Sequence, residues 1–68
     1  MEQLNPFKKI KVSKLNQGAY FKLEPTENAP LWIRGEYLLE CKKYSCYKHD
    51  DVNHETLMRG TREVYIER

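Results

Sequence analysis

The residues best equipped for chemistry lie in one short stretch, Cys41-x4-Cys46-x2-His49-x4-His54. Two thiols and two imidazoles are enough ligands for tetrahedral zinc, and a small chain gains folding energy from such a site. The spacing argues against it. There is no C-x2-C pair, and on a single strand the odd offset between Cys41 and Cys46 turns their side chains to opposite faces. The expected arrangement is a buried small thiol at Cys46, a loop thiol at Cys41, and surface imidazoles at His49 and His54. Cys46, His49 and Asp50 are also the residue types of a thiol–imidazole–carboxylate set. They are nearly consecutive, whereas working sets bring distant segments together around a pocket. A chain of 68 residues also leaves little room for a substrate cleft on the order of several hundred Å³. Asp50, Asp51, Asn53 and Glu55 lack the glycine and ligand spacing of an oxygen-rich cation loop, and a capped turn is expected there. No catalysis, metal, cofactor or small-molecule substrate is expected.

The remaining signal is a set of rings interleaved with cations. If strands alternate in the way set out below, Tyr20, Lys22, Trp32, Arg34, Tyr47 and Tyr65 all point away from the core. Contiguous exposed rings mark a partner surface, and Tyr, Trp and Arg dominate protein contacts. The first expectation is therefore a binding module that contacts itself as a homodimer or contacts another protein. The alternative is weak nucleic-acid binding, with Lys8, Lys9, Lys11 and Lys22 meeting phosphates while the same rings stack on bases. The net charge of only +2 weighs against it, because sustained phosphate binding needs a basic stripe. Lys8, Lys9, Lys11 and Lys14 read equally well as protection of an edge strand.

These residues must be positioned by short strands. Residues 1–6 are polar and end in Asn5-Pro6, a loose tail; residues 7–68 form one small domain. Lys8 to Val12 alternates, with Ile10 and Val12 on one face. Leu15 to Gly18 turns the chain, and Ala19, Phe21 and Leu23 then share a face. Pro25 and Pro30 make the intervening segment a loop. Leu31 to Tyr37 is the strongest strand, with Leu31, Ile33, Gly35 and Tyr37 expected inward and Trp32, Arg34 and Glu36 outward. Gly35 marks a bulge or sharp bend. Glu36 to Tyr44 fits a helix by propensity, but flanking strands favour a hairpin that returns along Lys43 to Lys48. Near Val52 to Arg59 a short helical turn capped by Asp51 competes with a strand at Thr56 to Met58. Glu63 to Glu67 is a final strand. On this assignment Phe21→Ala and Ile33→Ala open core cavities, whereas Trp32→Ala spares the fold.

Hydrophobic residues make up 40% of the chain and charged residues 32%, which fits a folded domain and not a disordered one. No apolar run nears the roughly 18 residues of a membrane helix. No leader pattern opens the chain, and two cysteines without an export signal are expected to stay reduced, so a cytoplasmic protein is expected. Five or six strands at spacings of roughly ten residues suggest an all-β antiparallel barrel or a strongly bent sheet.

The stretch Val12-Ser13-Lys14-Leu15-Asn16-Gln17-Gly18-Ala19-Tyr20-Phe21 resembles the opening of small SH3-like barrels, where a leucine, a turn glycine and an aromatic begin the second strand. Ala29 to Tyr37 and Lys42 to Tyr47 are similar to a group of short, uncharacterised bacterial and phage-like proteins. The likeness covers nearly all the chain after Phe7. It implies a barrel-like β domain and the hairpin, and it carries no activity. SH3-like barrels bind peptides, nucleic acids or each other.

Overall fold

Alternating apolar residues and closely spaced turn residues give six strands among the described residues. The computed structural model describes residues 6–67; apart from Pro6, the expected tail lies outside them. β1 (Phe7–Lys11) runs into a 3-10 turn (Val12–Lys14), followed by β2 (Tyr20–Phe21), β3 (Trp32–Leu38), β4 (Lys43–Lys48), β5 (Asp51–Met58) and β6 (Glu63–Glu67). All pairings are antiparallel. β1 pairs with β6, and β2-β3-β4-β5 form a four-stranded sheet. Lys22 bridges Tyr65 through reciprocal backbone bonds of 2.8 Å, so the short β2 edge leads into β6.

The fold is all-β, as expected, but it is not a closed barrel. β1 and β5 lie at the ends of the strand order and do not pair with each other. The hairpin expected between Glu36 and Tyr44 is present as β3–β4. Its turn ends at Lys42, whose N–H donates to the Leu38 carbonyl at 2.8 Å. The helical turn near Val52–Arg59 is not formed. That segment is β5, paired with β4 from Tyr44↔Met58 to Tyr47↔Glu55. Its burial alternates there, with Met58 buried and Leu57 and Glu55 exposed, and a period of two selects strand over local helix propensity.

The core joins both sheets. Val12, Leu15, Phe21, Trp32, Cys46, Met58 and Val64 are buried together, with Ile10, Leu23, Tyr44 and Ile66 packed against them. Phe21 faces inward as expected. In β3 the expected faces are reversed: Trp32 is 5% exposed and belongs to the core, while Ile33 is half-buried on the other side. Register is the cause. Phe21 lies directly opposite Trp32, and Tyr20 opposite Ile33, and directly opposed residues share a face. With Phe21 inside, Trp32 follows it. An indole also removes far more surface from water than an isoleucine does.

Gly35 does mark a bulge. The β3–β4 register shifts between Arg34 and Tyr37, and a Cβ on Gly35 would collide with the Ser45 backbone carbonyl. The shift brings Tyr37 opposite Tyr44.

Candidate functional site

Once the register is fixed, the six residues expected to form one ring-and-cation surface divide among four environments. Tyr20 and Tyr47 remain together. Tyr20↔Ile33, Ile33↔Tyr47 and Tyr47↔Glu55 are direct cross-strand pairs, so Tyr20, Ile33, Tyr47 and Glu55 form one row across the outer face of the four-stranded sheet. Ser45 and Leu57 make the next pair on that face, and Ser45 Oγ donates to the Glu55 carboxylate. Tyr20 is 53% exposed and Leu57 44%. The His49 ring meets Tyr20 edge-on at 5.5 Å between centroids.

Trp32 and Arg34 leave the set, because they lie on the inner face. Trp32 is packed in the core, with His54 edge-on at 5.7 Å and the Lys48 ammonium 5.9 Å from its centroid. Arg34 is half-buried. Its guanidinium stacks over Tyr44 at 4.4 Å, and Nη1 donates to the Gly35 carbonyl at 2.9 Å. Its Nε is buried and makes no hydrogen bond among the described residues. Lys22 is held in the loop after β2: Nζ donates to the Thr26 and Glu27 carbonyls at 3.2 and 3.1 Å and lies 5.3 Å from the Phe7 centroid. Tyr65 is half-buried and borders a cleft of about 340 Å³ beside Phe7, Tyr20 and that loop.

The alternative nucleic-acid set also lacks a common face. Lys8 pairs across from Ile66 on one side of β1, whereas Lys9 and Lys11 pair with Tyr65 and Glu63 on the other. Lys9 Nζ lies 3.8 Å from Glu63, and Lys22 is engaged as described.

The four candidate metal ligands do not converge. Cys41 is exposed and Cys46 fully buried, His49 lies by Tyr20 and His54 by Trp32. No group of three or more His, Cys, Asp or Glu side chains among the described residues is placed to hold a metal. Burial pushes the Cys46 thiol above its ordinary value near 9.0, with the Gly35 backbone and the Arg34 and Arg62 charges opposing. At neutral pH it is a thiol, not a thiolate nucleophile.

Sequence reasoning missed Ile33 and Leu57 on the outer face. No local signal marks them: the Phe21–Trp32 pairing that turns Ile33 outward is a matter of register between strands. It also underestimated the clefts: one of about 560 Å³ opens between the β3–β4 turn and the β5–β6 turn.

Fold and geometry together define a small all-β protein whose four-stranded sheet carries Tyr20 and Leu57 exposed on its outer face. No protein-family model, no curated protein and no solved structure matches the chain. No helix among the described residues is long and apolar enough to cross a membrane.

Proposed function

We propose that the chain is a non-catalytic binding module that associates with a second copy of itself through the outer face of the four-stranded sheet. The observation that carries this reading is the row Tyr20–Ile33–Tyr47 with Leu57 beside it, an aromatic and aliphatic surface opposite the core. Two rings and two branched aliphatics supply the desolvated centre of a contact. Glu55 and His49 supply its polar rim. A two-fold arrangement would enlarge the buried area that a chain of 68 residues has difficulty providing alone. The free β5 edge adjoins this face and extends it toward the partner. Two unpaired cysteines, one exposed and one buried, suit the reducing cytoplasm. The SH3-like likeness of Val12 to Phe21 belongs to the same proposal.

Sedimentation equilibrium over a wide concentration range tests it. Wild type is expected to dimerise with little response to salt, since ring burial is not screened. Tyr20→Glu and Leu57→Glu, both at exposed positions, are expected to give folded monomers whose melting temperature no longer rises with protein concentration. A wild-type chain that stays monomeric at the highest concentration overturns the proposal. So does a dimer that neither substitution weakens.

A further inference from the structure

A meander returns alternate turns to the same end of the sheet. The β3–β4 turn and the β5–β6 turn therefore lie together, although two whole strands separate Lys43 from Arg59 in the chain. β1 also ends here: Ser13 N–H donates to the Gly60 carbonyl at 3.1 Å and Val12 N–H to the Arg62 carbonyl at 2.9 Å. The cleft of about 560 Å³ between the two turns is lined by Lys42, Lys43 and Arg59, with the Tyr37 and Tyr44 rings on one wall and Gly60 against Ser13 at its base. No Asp or Glu lines it. Glu40 stands in the same turn but outside the cleft. Three cationic residues line one cleft that no acid lines, which suits a phosphate group.

The rings add a second element. Tyr37 and Tyr44 are 4.7 Å apart between centroids, and Tyr44 also carries the Arg34 guanidinium at 4.4 Å. Tyr44 is thus held by neighbours, and Tyr37, 41% exposed, presents a supported ring at the cleft. Gly60 keeps the base of the cleft tight, because a Cβ there would lie 3.0 Å from the Tyr44 ring and 3.1 Å from Ser13 Cβ.

The backbone at Lys42 is the third element. Its φ is 56°, the one left-handed non-glycine residue among those described. Glycine or asparagine suits this position better. A lysine kept at a conformational cost in the lining of this cleft points to work done by the side chain.

We propose that this cleft binds a nucleotide unit, with the phosphate held by Lys42, Lys43 and Arg59 and the base stacked on Tyr37. The unit could come from a single-stranded nucleic acid or from a free nucleoside monophosphate. None of these residues belongs to the outer-face row, so the site stands or falls independently of dimerisation.

The test is a fluorescence-anisotropy titration of a labelled oligothymidylate of about eight nucleotides at low salt, with thymidine 5′-monophosphate and inorganic tripolyphosphate as competitors. Wild type is expected to bind, with affinity falling as salt rises. Tyr37→Ala is expected to lose about tenfold, the worth of one stacked base, while tripolyphosphate binding holds. Lys42→Gly is expected to weaken both ligands several-fold while its melting temperature stays level or rises, which separates lost binding from lost folding. Lys8→Ala on β1 is expected to bind as wild type. Competition by the monophosphate identifies a free nucleotide as sufficient; its failure to compete places the unit within a strand. No binding by wild type overturns the proposal, and so does wild-type affinity in both Lys42→Gly and Tyr37→Ala. Unchanged oligonucleotide affinity in Tyr37→Ala with full displacement by tripolyphosphate also overturns it, reducing the cleft to a bare anion site.

Discussion

The two faces of the four-stranded sheet are built from the same strands, yet they differ in what holds their rings. On the inner face, Phe21 and Trp32 are opposed and sealed by Val64, Met58 and Cys46 from other strands. On the outer face, Tyr20, Ile33 and Tyr47 form an equally regular row, but Tyr20 and its neighbour Leu57 remain exposed. Alternation creates two faces and does not by itself say which one is covered. Coverage is decided by where β1 and β6 pack, and that depends on long-range pairing. The largest expected effect follows directly. Trp32→Ala should cost about 3–5 kcal/mol as a core cavity, enough to unfold much of a domain this size. Ile33→Ala, at a half-buried site, should cost about 1 kcal/mol. Urea melts of the two variants compare the faces, and equal losses would abolish the distinction between them.

Within the inner face a second contrast concerns charge. Its rings are packed among aliphatics, while the half-buried Arg34 has no carboxylate partner among the described residues and its Nε is unbonded there. Burying an unpaired charge opposes folding, and the stack on Tyr44 returns roughly 0.5–2 kcal/mol. The two nearly offset, so Arg34→Met should leave stability within about 1 kcal/mol of wild type. A loss well beyond that in the same melts would mean that the guanidinium, like the indole beside it, is integral to the inner layer.

The contrast also explains what the sequence made legible. The strands Phe7–Lys11, Lys43–Lys48 and Glu63–Glu67, the β3–β4 hairpin and the Gly35 bulge follow from alternation and turn residues, which are local properties. The orientation of β3 is not local. Both of its faces carry large apolar groups, Trp32 on one and Ile33 on the other, so periodicity could not choose between them. The expected surface does not form for that reason: the pairing of Phe21 with Trp32 puts Trp32 and Arg34 on the face opposite Tyr20. Val52 to Arg59 is ambiguous because Asp51 can cap a helical turn there while Thr56 to Met58 suits a strand, and only the ladder to β4 settles the matter. The basic cleft joins Lys42-Lys43 to Arg59 across the chain. Its only trace in the sequence is that two turns of one meander are both flanked by cations.

The smallest effect concerns the two thiols, one in a turn and one on the inner face. Cys41 is exposed in the β3–β4 turn and Cys46 is fully buried opposite Arg34. A thiol reagent under native conditions should therefore modify Cys41 readily and Cys46 only as the domain opens. Burial raises the Cys46 value in the folded chain above its ordinary value near 9.0, so the folded state holds its proton more tightly than the unfolded state. The associated stability is complete below the unfolded value and is lost as pH rises through the folded one. Wild type should thus weaken above about pH 9 more steeply than Cys46→Ala, whose position no longer titrates. Parallel alkaline slopes in the two proteins would show that the thiol ionises without opening the inner layer, and would place Cys46 nearer to solvent than its packing against Phe21 and Trp32 allows.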